Sequence, residues 1–246
     1  MKLGHPVAEG NTATIYQIHD KIVKVFREDL PDGTSSYEAK KQRYALSKGL
    51  PVPNIFEVTK IDGKQAIIME KMSGRTLGDL LLENRDRAEV YMELSVNIQH
   101  SIHQISADSF EPMTEKLTRQ IEEANELSQK QKAALLCKLK EMPVKKQLCH
   151  GDLHLFNLVM GDQVTIIDWV DASAGDSRAD VCRTYLLYTQ FSSDLADLYL
   201  KLYCMKTGEL KEVILEWAPI IAGARLAEGV LSEDSDRLLR IVDQYL

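Results

Sequence analysis

From residue 3 to residue 26 apolar and polar positions alternate, and "TATIYQIHD" and "KIVKVF" are rich in β-branched side chains. A period of two predicts strands, with His19-Asp20 at the turn between them. "LPDGT" has loop composition, and "SSYEAKKQRYALSKG" changes to helical spacing. Ser35 or Ser36 is placed to cap that helix, Tyr37, Tyr44 and Ala45 make its apolar stripe, and Gly49 with Pro51 ends it. "NIFEVTKIDGKQAIIMEKM" predicts two more strands around an Asp62-Gly63 turn. The stretch up to Met72 therefore predicts a small antiparallel sheet with one helix.

Beyond Met72 the period lengthens. "MSGRTLGDLL" is a turn leading into a helix, and "RAEVYMELSVNIQHSIHQI" carries Val90, Leu94, Ile98, Ile102 and Ile105 at helical intervals. "EKLTRQIEEANELSQKQKAALLCKLKEM" predicts a helical hairpin broken near Ser128 and ended by Pro143. "LVMGDQVTIID" returns to strand character, two short strands joined by a two-residue turn at Gly161-Asp162. From Arg178 onward the pattern is helical. These periods predict an α+β protein: a small antiparallel-sheet N-terminal lobe over 1–72 and a mainly helical C-terminal lobe over 73–246.

A chain of 246 residues is long enough for two such lobes with ample core. Lys and Arg total 30 against 37 Asp and Glu, a net charge of −7, and no basic cluster exceeds a pair such as Lys145-Lys146. That balance argues against a nucleic-acid partner. Cys137, Cys149, Cys182 and Cys204 lack zinc-ribbon or CxxC spacing, so reduced thiols in a cytoplasmic protein are expected. The start "MKLGHPVAEG" has no apolar core of a secretory signal, and no apolar run approaches the ~18 residues of a membrane span.

One segment stands apart. "LCHGDLHLFNLVMGDQVTIIDW", residues 148–169, sets histidines, aspartates and an asparagine among apolar residues. Buried charge is costly unless paired or metal-bound. In chain order the sequence offers a small-residue turn in "AEGNTATIY", a strand lysine at Lys24, a helical glutamate at Glu38, the set His150, Asp152 and Asn157 spaced as H-x-D-x-x-x-x-N, and Asp168 after a hairpin. With "HGDLHLFN" followed by "IIDW", this order resembles the aminoglycoside phosphotransferase and choline kinase family, small-molecule kinases of the bilobal protein-kinase-like fold. The resemblance covers nearly the whole chain.

The resemblance implies an ATP-dependent enzyme that phosphorylates a hydroxyl of a small molecule, with ATP and Mg²⁺ as cofactors. Phosphoryl transfer is mostly positioning and charge neutralisation. Asn157 and Asp168 then hold the metal, since an amide and a carboxylate oxygen suit hard Mg²⁺. Asp152 takes the hydroxyl proton and aims that oxygen at the γ-phosphate. Lys24 reaches the α/β-phosphates, steadied by Glu38. Ile22 shares the strand face of Lys24 and becomes a wall for adenine. Gly10, Asn11 and Thr12 offer backbone N–H groups to phosphate, and Glu70 and Met72 are the hinge facing adenine. His150 orients the loop, and Asp176 and Asp180 of "GDSRADVCR" brace it and begin a helix. Asp171 lies close enough to Asp168 in sequence to join the site or the substrate.

Bland readings exist for each residue taken singly. Lys24 and Glu38 suit an exposed strand and a solvated helix face, and Asp152 and Asn157 suit a turn. Neither explains a carboxylate at Asp168 directly after an apolar strand. Cys149, His150 and His154 lack zinc spacing and a fourth ligand, and His103 reads as a packing residue. There is no GxGxxG and no GxxxxGK[ST]. Leu155-Phe156 stands where the family has Pro-Gly, and Trp169 where protein kinases have Phe-Gly. With no activation segment, a small hydroxyl-bearing substrate is expected rather than a protein. A silent nucleotide-binding module would have lost one of Lys24, Asp152, Asn157 or Asp168. Substrate candidates are polycations met by Glu233, Asp234, Asp236 and Asp243, which a solvated amphipathic helix with Leu238, Leu239 and Val242 inward explains equally well; quaternary amines met by aromatic residues; and zwitterions met by Arg225 and Glu228, which one helical turn apart can equally just pair. No nucleic acid or membrane partner is expected, and the protein should be a monomer or weak dimer.

Overall fold

The computed structural model describes residues 3–10, 12–230 and 233–245. The chain opens β1 (Pro6–Glu9), β2 (Ala13–Ile18), β3 (Lys21–Phe26), α1 (Thr34–Ser47), β4 (Ile55–Ile61), β5 (Lys64–Glu70), β6 (Arg75–Thr76) and α2 (Leu77–Glu83). It continues α3 (Ala88–His103), α4 (Met113–Glu123), α5 (Gln129–Glu141), β7 (Gln147–Cys149), β8 (Leu158–Met160), β9 (Val164–Ile166) and β10 (Ser173–Gly175). Helices complete it: α6 (Ser177–Thr189), α7 (Ser193–Thr207), α8 (Lys211–Leu215), α9 (Ala218–Leu226) and α10 (Ser235–Gln244). The chain forms two compact units, Met1–Leu80 with Phe156–Val170, and Leu81–Leu155 with Asp171–Leu246.

In the first unit an antiparallel sheet runs in the order β1-β2-β3-β5-β4. Asp62 and Gly63 both take positive φ, which joins β4 to β5 by the tight turn that Asp-Gly favours. Strand alternation divides the apolar residues by face. Phe26, Ile67 and Met69 pack with Ala39 of α1 on one face, and Val23, Val25, Ala66 and Ile68 form a cluster on the other. Lys24 shares the parity of Phe26, so it faces α1.

Helix α1 departs from the expected reading in two ways. Neither Ser35 nor Ser36 is its N-cap; Gly33 is, and the free N–H groups of Gly33 and Ser35 donate instead to Gln65 Oε1, reaching across from β5. The buried face is Ser35, Glu38, Ala39, Lys41, Gln42 and Ala45, while Tyr37 is exposed under the Lys41 ammonium. Partners drive this: Glu38 meets Lys24, Lys41 donates to the Val170 carbonyl at 2.6 Å, and Gln42 donates to the Pro53 carbonyl at 2.7 Å. A second sheet, β6-β8-β9, completes the unit. The Met160–Val164 pairing leaves a three-residue loop, Gly161 to Gln163, one residue longer than expected.

The second unit is helical except for β7 paired with β10, a strand that the sequence reading does not contain. Ser128 caps α5 in a reciprocal capping box with Gln131. The buried face of α3 is Tyr91, Met92, Ser95, Val96, Gln99, Ile102 and His103, so the expected stripe is rotated: Val90 is exposed and Leu94 and Ile98 are only half-buried. Gln99 and His103 turn inward because they have buried polar partners there. No helix among the described residues is long and apolar enough to cross a membrane.

Candidate active site

In the first unit the Lys24 ammonium lies 2.8 Å from Glu38 Oε1 and 2.8 Å from Asp168 Oδ1. Lys24 and Glu38 are almost fully buried, while the Asp168 side chain is 38% exposed. Burial opposes the charge on Lys24, but Asp168 and then Glu38 more than offset it and hold the ammonium above its ordinary range. Burial lifts the Glu38 carboxyl above its ordinary range in spite of Lys24. Glu38 Oε2 has no hydrogen-bond partner among the described residues, so this carboxylate depends on Lys24.

The hairpin β8–β9 sets the other end. Leu158 pairs with Ile166, so Asn157 just before β8 and Asp168 just after β9 emerge together at its open end. The Ile167 N–H donates to the Asn157 carbonyl at 3.0 Å and fixes that juxtaposition. Asp168 has φ 65°, in the left-handed region, an uncommon backbone for a residue with a side chain. Buried Trp169 follows it, and Lys41 holds the Val170 carbonyl. Phe156 answers part of the Leu155-Phe156 puzzle: its ring fills the space over Gly78, where any Cβ would collide with it at 2.5 Å.

The remaining candidates of this unit lie elsewhere on the same sheet. Ile22 is half-buried beside Lys24 and packs on the apolar cluster beneath α1. The Gly10 N–H donates to the Ala13 carbonyl at 2.9 Å, and the Thr12 carbonyl accepts from Arg27 at 3.0 Å, so the turn closes partly on itself. Asn11 lies outside the described residues. Glu70 donates its N–H to the Asn54 carbonyl and accepts the Asn54 N–H on its side chain. Met72, half-buried, lies just past β5.

Asp152 belongs to the second unit. Its loop hangs from Asp180 of α6, whose carboxylate accepts the Gly151 N–H at 2.7 Å and the His150 N–H at 3.3 Å. The Leu153 carbonyl accepts from Thr184 Oγ1 at 3.0 Å. Gly151 has φ 82°, and a Cβ there would strike the Asp171 carbonyl at 2.4 Å, so glycine is required twice over. His150 is fully buried and its Nδ1 accepts the Asp152 N–H at 3.3 Å. Asp180 also accepts from Gln99 at 3.1 Å and meets His103 Nε2 at 2.9 Å. Burial would raise the Asp180 carboxyl, but His103, Gln99 and the loop N–H bring it down to about 2. His103, Cys149 and Asp180 put ligand-type atoms within 4.8 Å, yet both His103 ring nitrogens are engaged, by Asp180 and by Tyr203. Asp176 caps α6 by accepting the Arg178 N–H at 2.9 Å.

Several functional-looking residues were not in the sequence reading. Arg183 comes within 3.9 Å of Asp152, and Lys116 pairs with Asp171 at 2.6 Å. In the second unit Gln99 of α3 donates to Asp180, and in the first unit Lys41 of α1 donates to the Val170 carbonyl.

A sheet carrying a Lys–Glu pair, a histidine-aspartate loop, a hairpin ending on an aspartate and a helical remainder together define the protein-kinase-like fold. The chain belongs to the phosphotransferase enzyme family, whose pattern matches residues 4–217. It is accordingly a phosphotransferase of the small-molecule kinase type. Among solved structures it resembles a thermostable mutant of aminoglycoside phosphotransferase APH(4)-Ia in ternary complex with ADP and hygromycin B, with TM-score 0.72 and 14% identity over 98% of this chain and 92% of that one. The choline kinase LicA from Streptococcus pneumoniae has TM-score 0.68 and 15% identity over 100% of this chain and 94% of that one. Aminoglycoside-3'-phosphotransferase of type VIII has TM-score 0.63 and 18% identity over 91% of this chain and 90% of that one. A comparison with curated protein sequences gives no match.

Proposed function

We propose that the protein moves the γ-phosphate of ATP to a hydroxyl of a small molecule, with Asp152 as the base. The observation that carries this reading is Lys24 bridging Glu38 and Asp168 at 2.8 Å each, beside Asn157. A buried ammonium on two carboxylates has no structural need for the second, partly exposed one; it is poised to exchange that partner for phosphate. Asn157 and Asp168 suit a hard divalent cation, because both supply oxygen donors and Lys24 contacts only one oxygen of the partly exposed Asp168 carboxylate. Bound there, magnesium would screen the phosphate charge. Lys24 would hold the α/β-phosphates while Glu38 fixes its direction. The Glu70 N–H is committed to Asn54, so the hinge contributions to adenine are the Glu70 carbonyl and the Met72 backbone. Among the described residues between β1 and β2, Thr12 would supply the phosphate-facing N–H, since the Gly10 N–H is used. Asp152 would accept the hydroxyl proton in the second unit, which would also receive the substrate.

Three of the four acidic residues that suggested a polycationic substrate are already engaged, all but the exposed Asp236. Glu233 pairs with Arg225 and Arg237, Asp234 caps α10, and Asp243 accepts from Gln131 at 2.7 Å. Tyr188, Tyr199 and Tyr203 are buried among themselves and form no open aromatic cage. The reading therefore keeps a hydroxyl-bearing small molecule as acceptor, in a protein of the cytoplasm.

Purified protein with Mg-ATP and a panel of amino alcohols, sugars and aminoglycosides should release ADP with at least one of them. Asp152→Asn should lower turnover by at least about 10²-fold while binding Mg-ATP as the wild type does. Undiminished turnover in that variant would remove Asp152 as the base.

A further inference from the structure

Arg183 lies on α6, and Glu228 just beyond α9. Glu228 grips the guanidinium with both oxygens, Nη1 to Oε1 at 2.6 Å and Nη2 to Oε2 at 3.1 Å. The same Nη2 is 3.9 Å from Asp152 Oδ1, near enough for strong attraction and too far for a hydrogen bond. Glu228 is itself fixed, by Gln120 Nε2 at 3.2 Å and Arg225 Nη1 at 3.8 Å. The Arg183 side chain is 10% exposed, so little water screens its charge. On its other flank Asp152 meets His154 Nε2 at 3.6 Å, and Asp171, a second carboxylate acting on it, is paired by Lys116.

A base of this kind must be ionised and held in one direction. A direct guanidinium hydrogen bond would achieve both but would oppose proton uptake, because it favours the charged form. A guanidinium held back at charge distance attracts and ionises the carboxylate without itself donating a hydrogen bond to it. We propose that Glu228 keeps Arg183 at that distance, making the two a positioning pair for Asp152. The proposal rests on the reading of Asp152 as the base. It agrees with the balance at Asp152: burial pushes the carboxyl up, His154 and Arg183 more than offset this, and Asp171 opposes them, leaving it below the ordinary carboxylate range.

The competing role is a clamp between α6 and the end of α9, with no bearing on the base. Carbon NMR of side-chain carboxyls in the full chain separates the two, with the Asp152 signal identified by its loss in Asp152→Asn. Removing the cation in Arg183→Gln should raise the Asp152 titration midpoint by about one pH unit. Removing the anion in Glu228→Gln, which frees Arg183 toward Asp152, should lower it by a similar amount. Arg183→Lys keeps the charge and should stay within a few tenths of wild type, and it serves with Glu228→Gln where Arg183→Gln does not fold. The acid limb of kcat/KM should move in the same opposite directions. Midpoints that stay put, or move the same way in both neutralised variants, overturn the proposal. Mg-ATP binding by calorimetry tests the kinase reading separately, so either can fail alone.

Discussion

At the scale of single residues, Lys24 is the pivot. Its ammonium satisfies a buried carboxylate whose other oxygen has no partner among the described residues, and it reaches a second carboxylate that is partly open to solvent. Deleting the lysine would strand Glu38 in the interior, a loss of about 3–5 kcal/mol by the usual cost of breaking a buried pair. Glu38→Gln is the more informative change. It keeps volume and fold, and frees Lys24 to swing wholly onto Asp168. The Kd for Mg-ATP, measured by calorimetry, should rise about tenfold, equivalent to about 1.4 kcal/mol. An unchanged Kd would mean that Glu38 does not steer Lys24.

At the scale of elements, the loop carrying Asp152 takes its shape from helices α3 and α6 through Asp180. The Asp180 carboxyl is depressed from an ordinary 3.8 to about 2, so its contribution to stability is complete above pH ~4 and is lost as pH falls through about 2. That shift corresponds to roughly 2 kcal/mol. Asp180→Asn should therefore lose about that much stability at pH 7 in urea unfolding, and the deficit should close between about pH 4 and pH 2. A deficit that persists unchanged at pH 2 would count against this electrostatic account. The hairpin β8–β9 was legible because its alternation is plain and the candidate residues Asn157 and Asp168 flank it. Strand β10 was not, because Ser173, Ala174 and Gly175 carry no strand propensity and are ordered by pairing with β7. The inward faces of α1 and α3 differ from the expected stripes because they bury Lys41, Gln99 and His103, and those residues find their partners far away in the chain. The pairing of Arg183 with Glu228 is invisible in sequence on the same ground, the two being 45 positions apart.

For the whole molecule, the chain forms two compact units. Lys24, Glu38, Asn157 and Asp168 belong to one unit and Asp152 to the other, with the border between Leu155 and Phe156. The ordered set of motifs made the fold and the enzyme class readable, because the order and spacing reflect one connected piece of architecture. Acceptor identity was not readable, because Glu233 is spent on Arg225 and Arg237, Asp243 on Gln131, and Asp234 on the α10 cap. The central claim is that the first unit binds Mg-ATP through Lys24, Asn157 and Asp168. Calorimetric titration of Mg-ATP into the wild type and Asp168→Asn tests it most directly. The account predicts saturable binding by the wild type that requires magnesium, and at least about a tenfold loss of affinity in the variant. Absence of binding by the wild type, or equal magnesium-dependent binding by both proteins, would contradict it.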